Sequence, residues 1–369
     1  MRSVRFVLGI GGMNNQMLNR ERLKVLFSSN RNPNFETFTD YIEKAFKEVG
    51  CETVFFENRD FTIPGRIRDR FNFLHKFDLK ILNKRLFNIA KTFKPDLFLE
   101  DGGWNILPEP IQTMKKMGAK TALWTNDPPR SQVYEFKSIR LSAPYYNFVF
   151  ATGTEGIDGF KGLEIENLSL LPFACDSDFH KPVAITAEER QIYGFDVCFA
   201  GSGDKSVYPM RIKFLESLVD FRLGVWGPGW ETLPLESPLR QFIKGGALRP
   251  SKWIKLFSAS KIVFHSHYRD PLDNFPNYQA NPRVFEALAC GSFLLVDDQR
   301  DVQALFKDGE HLVIYKDIED LRAKVSYYLK NDDERKRIAE NGRREVLEKH
   351  TYRHRVKAIL DIVGLGERQ

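Results

Sequence analysis

The stretch "ANPRVFEALACGSFLLVDD", residues 280–298, carries a helix and a strand back to back. Asn281 is a favoured helix N-cap, and Pro282 suits the first helical turn, where a missing N–H costs nothing. Gly291 fits the left-handed position just past a helix end. The apolar run "SFLLV" that follows reads as a strand covered on both faces, the kind found in parallel sheets. A helix that feeds straight into such a strand is half of a βαβ unit, and the fold follows if the unit repeats.

It repeats along the whole chain. In the first half "KVLFSS" precedes an amphipathic helix, "NFETFTDYIEKAFKEVG". Then come "ETVFFE", a helix near residues 78–93, "PDLFLEDGG", "IQTMKKMG", "KTALWTNDPP", a helix around Tyr134–Ser142, "NFVFAT" and "LSLLPF". The polar stretch "ACDSDFHKPVAITAEERQIYG", with an N-cap at Thr186, breaks the alternation and reads as a linker. A second series runs from "FDVCFAGSGD" through "MRIKFLESLVDF", "RLGVWGPGW", "SKWIKLFSAS" and "KIVFHSH" to "HLVIYK", and three charged helices close the chain. The expectation is an α/β protein with two Rossmann-like, doubly wound domains facing a central cleft. Residues 1–173 form the first, 174–192 the linker, 193–350 the second, and 351–369 a C-terminal helix. Residues 1–20, with "VRFVLGIGG", suit an extra edge strand or arm.

A chain of 369 residues exceeds what one hydrophobic core usually supports. No apolar run approaches the roughly 18 residues that span a bilayer, and the N-terminal apolar stretch is short for a signal peptide. Four cysteines without a C-x-x-C pair read as reduced thiols of a cytoplasmic protein, not a disulfide frame or a zinc site. The net charge of +6 is unevenly spread: ten Lys/Arg meet three Asp/Glu between Arg59 and Lys94. Phe61, Phe71, Phe73, Phe77, Phe87 and Phe93 are interleaved with them. The reading taken is a helix with a solvated basic face and a Phe-lined core face. The alternative is a surface for an acidic acceptor or anionic lipid, with peripheral contact through 59–94 to the inner face of the membrane. Nucleic acid is not an expected partner, because no recognition motif accompanies the charge.

Several turns carry candidate chemistry. In "NPRVFEALACG" the N–H groups of Arg283, Val284 and Phe285 point out of the turn with the helix dipole behind them, which suits a diphosphate. Glu286 then reaches towards ribose hydroxyls. The competing reading makes Pro282 a helix start, Gly291 a cap and Glu286 a solvated carboxylate. "FAGSGD" (199–204) offers Gly201, Ser202 and Gly203 for close backbone approach to phosphate, with Arg211 adding charge. "WGPGW" (226–230) offers Trp226 and Gly227 in the same way, and both stretches are equally ordinary tight turns. Leu248 and Arg249, ahead of Pro250, place loop backbone beside a base. His265 and His267 share a strand face but lack a third ligand for zinc, and His265 is counted with the candidate binding residues of this half. "LEDGGW" and "WTNDPPR" put Asp101 and Asp127 at carboxyl ends of strands. Either would serve as general base towards an acceptor hydroxyl, or simply cap its loop.

The two halves, "LPFACDSDFHKP" at the hinge, "RVFEALACG" and the helical C-terminus resemble the GT-B glycosyltransferases from about residue 23 onward, most closely the CgeB-like (spore-coat) group. The resemblance implies a UDP-, dTDP- or GDP-sugar donor in the second domain and no essential metal. It implies an acceptor glycan, lipid or protein in the first domain, and a terminal helix, "YRHRVKAILDIV", that crosses back to it. Glu286 then matches the ribose-binding second glutamate of an E-x7-E pattern whose first position is Tyr278 here. Asn126-Asp127 stands where related retaining enzymes often carry His-Asp. The expected activity is metal-independent hexosyl transfer in glycan biosynthesis, with Asn281 and Arg283 at the helix start and Arg211 nearby stabilising the departing diphosphate. A sugar-nucleotide epimerase or hydrolase, and a non-catalytic scaffold of the same fold, are the alternatives. The first turn, "FSSNRNPNF", lacks the G-x-G-x-x-G of a dinucleotide oxidoreductase.

Overall fold

The computed structural model describes residues 22–127, 136–269 and 277–366. The expected arm at 1–20 and Tyr134 of the expected helix lie outside the described residues.

The first domain alternates strand and helix: β1 (Lys24–Ser29), α1 (Phe38–Glu48), β2 (Glu52–Glu57), α2 (Gly65–Arg68), α3 (Asn72–Phe93), β3 (Leu97–Asp101) and α4 (Pro108–Lys116). β4 (Lys120–Thr125), α5 (Phe136–Ser142), β5 (Phe148–Ala151), α6 (Thr154–Phe160) and β6 (Leu168–Leu170) complete it. α1 shows why the sequence folds this way locally. Asp40 accepts the N–H of Thr37 at 2.9 Å to close a capping box, and Tyr41, Ile42, Ala45 and Phe46 fall on one buried face.

The second domain holds α7 (Ala187–Tyr193), β7 (Val197–Ala200), α8 (Pro209–Glu216), β8 (Leu223–Trp226), β9 (Ile243–Gly245), α9 (Pro250–Ala259) and β10 (Ile262–His265). It continues with α10 (Pro282–Ala289), β11 (Leu294–Asp297), α11 (Arg300–Leu305), β12 (Val313–Tyr315), α12 (Ile318–Lys330) and α13 (Asp332–Lys349), followed by α14 (Tyr352–Ile362). The turn helix at Thr186 and the helix start at Asn281 fall where capping chemistry puts them.

Each domain is one parallel six-stranded sheet, in the orders β2-β1-β3-β4-β5-β6 and β12-β11-β10-β7-β8-β9. Apolar clusters lie on both faces of each sheet, which is why the strands read as unbroken hydrophobic runs. The order reverses between β1 and β3 in one sheet and between β7 and β10 in the other. Such reversals leave a crevice at the carboxyl ends of the strands, where these folds take ligands.

Two chain segments join the domains side by side. Cys175 donates its N–H to the carbonyl of His350 at 3.0 Å, and Tyr352 returns a bond to the carbonyl of Cys175 at 2.9 Å. The Arg355 guanidinium donates to the carbonyls of Pro172 at 2.7 Å and Phe173 at 3.0 Å. α14 then buries Tyr352, Val356, Ile359 and Leu360 in the core beside β1 and α1.

One expectation is corrected here. α3 begins at Asn72, earlier than its polar pattern suggested, and its core face is Leu82, Leu86 and Ala90. Phe73 and Phe77 therefore lie with the lysines, not against them, and together with Phe71 they are exposed. Phe61 and Phe93 do pack on the core.

Candidate functional site

The second reversal point is built around Arg211. Its guanidinium donates to the carbonyl of Ser202 at 2.8 Å and to that of Ser266 at 2.6 Å, so it ties the turn after β7 to the turn after β10. The Tyr208 ring lies against it, centroid 3.8 Å away. Its Nε has no hydrogen-bond partner, and neither has Nε2 of the buried His265 close by. Burial, then the neighbouring His267, hold His265 well below the ordinary imidazole range, so its ring is neutral. Arg211 and Arg283 add to that effect, which places two cations around one neutral ring.

His267 fixes the start of α10. It hydrogen-bonds Asp297 through Nδ1 at 2.7 Å, while its Nε2 accepts the N–H of Asn281 at 3.4 Å. Asn281 in turn caps the helix, its side-chain oxygen accepting the N–H of Arg283 at 3.2 Å and its carbonyl that of Val284 at 3.1 Å. Two of the three N–H groups expected to be free for a diphosphate are therefore taken by the cap itself. The side chains of Val284 and Phe285 are buried in the core. What α10 offers outward is Arg283 and Glu286. Arg283 lies over the Trp253 ring at 4.4 Å and meets Glu286 at 3.0 Å, at an angle too bent for a hydrogen bond. The other oxygen of Glu286 is 3.8 Å from Nε2 of His180, a linker residue whose ring stacks on Trp253.

The glycines have packing reasons. A Cβ on Gly203 would fall 2.1 Å from the Trp230 ring, and one on Gly227 would fall 1.8 Å from the carbonyl oxygen of Gly201. A Cβ on Gly201 would fall 2.7 Å from the Phe199 ring. These turns need glycine to pack against one another. Trp226 and Leu248 sit apart, lining a cavity of about 790 Å³ with Phe195, Arg222, Lys244 and Lys252. Neither Arg211, His265, Arg283 nor Glu286 borders it. Arg249 is exposed at the start of α9.

The first reversal point holds Asp101. Ser29, at the end of β1, donates its hydroxyl to Asp101 at 2.7 Å. Burial pushes the Asp101 carboxyl up to about 7, the Ser29 hydroxyl opposes that, and the nearby charge of Asp127 adds to it. The two aspartates are thus close enough to interact, and Asn126 beside them is exposed. Tyr352 couples the halves. Burial raises its phenol, and the charges of Glu286, Cys175 and Asp101 raise it further, so carboxylates from both sheets approach one ring.

Tyr278 belongs to a second bridge. Glu155 accepts its N–H at 3.1 Å, Asp301 donates an N–H to its carbonyl at 3.1 Å, and Arg300 lies over its ring at 5.5 Å. Thr154 donates to Asp301 through its hydroxyl at 2.7 Å and its N–H at 2.8 Å. Glu155, Asp301, His180 and Trp253 escaped the sequence reading. His180 and Trp253 stood in quoted stretches but without a role, and Glu155 and Asp301 are far apart in the chain. Among the described residues no group of three or more His, Cys, Asp or Glu is placed to hold a metal ion.

Residues 211–361 match the sequence family described as "Glycosyl transferase-like". No curated protein matches the chain. In structure, a glycosyltransferase from Rickettsia africae superposes with a TM-score of 0.66 at 14% identity, covering 93% of this chain and 98% of that one. Sucrose-phosphate synthase from Thermosynechococcus elongatus gives 0.63 at 14% identity, covering 92% and 98%. The Anabaena protein HepE in complex with UDP and glucose gives 0.63 at 12% identity, covering 93% and 100%. The fold is GT-B: two Rossmann-like domains facing a cleft.

Proposed function

We propose that this chain is a glycosyltransferase that moves a sugar from a nucleoside-diphosphate sugar to an acceptor hydroxyl in the cleft between its sheets. The observation that carries the reading is the cluster at the second reversal point. Arg211 Nε and His265 Nε2 are buried without partners beside Arg283 and the start of α10. Buried nitrogens are rarely left unpaired, and unpaired ones close to two guanidinium groups suit an anionic ligand. The family match over 211–361 covers that cluster, and HepE, of the same fold, was solved with UDP and glucose.

The chemistry follows from where charge develops. As the sugar leaves, the diphosphate gains negative charge, and Arg283, Arg211 and the α10 dipole stabilise it. Glu286 orients the ribose, exchanging its contact with Arg283 for sugar hydroxyls. Asp101, its carboxyl raised to about 7 by burial and then by the charge of Asp127, is suited to take the acceptor proton. Arg249, exposed at the start of α9, flanks the base, and Tyr278 stands beside the sugar.

We further infer a CgeB-like grouping with domain limits at 173 and 193, a metal-independent reaction with a hexosyl donor, and a cytoplasmic setting that suits four buried free thiols. The test is thermal stabilisation by UDP, dTDP, GDP and CMP, followed by donor consumption with and without acceptor, each with and without EDTA. A ligand at 100 times its Kd adds about 2.7 kcal/mol. Stabilisation by one nucleotide, and consumption only with acceptor, is the expected result. Consumption without acceptor means an epimerase or hydrolase, and binding without consumption a scaffold.

A further inference from the structure

The first domain carries an exposed apolar patch that the transfer chemistry does not use. Ile67 is 52% exposed, Phe71 45%, Phe73 68% and Phe77 58%. Single exposed apolar residues are ordinary, but four grouped on α2 and the first turns of α3 are not. The Phe71 and Phe73 rings lie 5.9 Å apart, and Phe77 follows Phe73 one turn along α3.

The charges around the patch are of one sign. Lys76, Lys80, Lys84 and Lys91 follow Phe73 and Phe77 at helical spacing and share their exposed face, with Arg66 and Arg70 at its end. Asp78, the one carboxylate of α3, is turned inward and accepts the N–H groups of Thr62 at 3.0 Å and Ile63 at 2.8 Å. Asp69 is paired with Arg68 at 2.7 Å, and Asp60 is paired with Arg85. The nearby acids are thus neutralised, and aromatic side chains project from a field of lysines.

Position gives the patch a purpose. In a parallel sheet the segment after β2 emerges at the carboxyl ends of the strands, so α2 and the start of α3 flank the mouth of the cleft. Arg59, in that segment, lies over the ring of Trp104 at 5.2 Å, and Trp104 is in the loop that follows Asp101.

We propose that α2 and the exposed face of α3 dock the protein on an anionic phospholipid surface. Ile67, Phe71, Phe73 and Phe77 enter the interface, and Lys76, Lys80 and Lys84 meet the headgroups. Aromatic side chains next to lysines are the chemistry such a surface recognises. Docking there turns the acceptor half of the cleft towards the bilayer, so that an acceptor carried by lipid reaches Asp101. This last step rests on the transfer reading, and the docking does not.

The experiment is vesicle flotation of the full chain with phosphatidylcholine alone and with phosphatidylcholine plus phosphatidylglycerol. Wild type, Phe73→Ser/Phe77→Ser and Lys76→Glu/Lys80→Glu are compared, with the melting temperature and nucleotide-induced shift recorded for each. Each lysine near such a surface is worth about fivefold in partitioning, so each double variant should bind at least about tenfold more weakly. The substituted side chains are exposed, so melting and the nucleotide shift should stay unchanged, which separates failure of docking from failure of the donor site. Retained binding in both variants, or no wild-type binding to the anionic vesicles, overturns the proposal. So does a wild-type dimer in sedimentation that Phe73→Ser/Phe77→Ser dissociates, since a second copy would then cover the patch.

Discussion

His267 and Asp297 form a hydrogen-bonded pair sealed from solvent: Nδ1 lies 2.7 Å from Oδ1, and neither side chain has exposed surface. The N–H of Asn281 reaches Nε2, which requires a lone pair there, so Nδ1 carries the proton and donates it to the carboxylate. The pair thereby sets the height at which α10 begins, and with it the place of Arg283 and Glu286.

Asp297→Asn should therefore destabilise the protein by about 1.5–3 kcal/mol, in the range for hydrogen bonds to a charged group, as read from urea unfolding. Burial works against ionising Asp297, but His267 and Gln299 hold its carboxyl well below the ordinary range. A value depressed by folding means that the unfolded chain takes up the proton first. The stability from this carboxylate is complete above the unfolded value of about 4 and is lost as the pH falls below it. The variant should lack that part of the acid sensitivity.

Asp101 has the opposite sign. Its carboxyl is raised to about 7 by burial, so the folded chain binds the proton first. The stability linked to it is full below about pH 4 and is lost as the pH climbs through about 7. Asp101→Asn should gain on the order of 2–4 kcal/mol over wild type at pH 8 and little at pH 4, read by thermal unfolding at both. If Asp101 is the general base, kcat should rise through pH 7 in wild type, and Ser29→Ala, which removes the hydroxyl that favours ionisation, should move that limb to higher pH.

Removing Glu286 or Arg283 tests the donor site without touching the core, since both side chains keep some exposure. A charged hydrogen bond contributes about 1.5–3 kcal/mol, so each alanine variant should weaken nucleotide binding by roughly 10- to 100-fold in calorimetry. Unfolding midpoints in the absence of nucleotide should move little.

How much of this was legible in the sequence depended on distance along the chain. Asn281, Pro282 and Gly291 announce α10 because caps act over a few residues, and the strands announce themselves because both sheet faces are covered. The turns after β7 and β8 were legible as turns, but not why they need glycine. The Trp230 ring that fills the space beside Gly203 arrives from another loop, and no local pattern encodes that approach. The phenylalanines of 59–94 show the same limit. Counting them could not say which face they occupy, because that depends on helical phase, fixed by Leu82, Leu86 and Ala90 meeting the sheet.

Gly203→Ala and Gly227→Ala should each destabilise the nucleotide-free protein by about 1–3 kcal/mol, the cost of overpacking a site that cannot yield. Gly227 adds backbone strain, with φ at +146°. Urea unfolding of both variants checks this. A large loss of nucleotide affinity with unchanged stability would instead return these glycines to the phosphate site.

Opening of the two domains should depend on pH through Glu155. Its carboxyl, raised to about 7 by burial and by the charge of Asp301, accepts the N–H of Tyr278 across the cleft. When the domains part, water reaches it and its value returns towards about 4.3. The closed form therefore binds the proton more tightly, and protonation favours closure. As the pH rises through 7 the carboxylate must ionise in a buried place or separate, so opening becomes easier. X-ray scattering should show a larger radius of gyration at pH 8.5 than at pH 5.5. Glu155→Gln, which stays neutral, should hold the compact form at both, whereas Asp301→Ala, which removes the acceptor of the Thr154 bonds, should favour opening at both. An unchanged radius in wild type across that range would mean that the remaining contacts, the Cys175–Thr351 bridge and α14 among them, hold the domains together without Glu155.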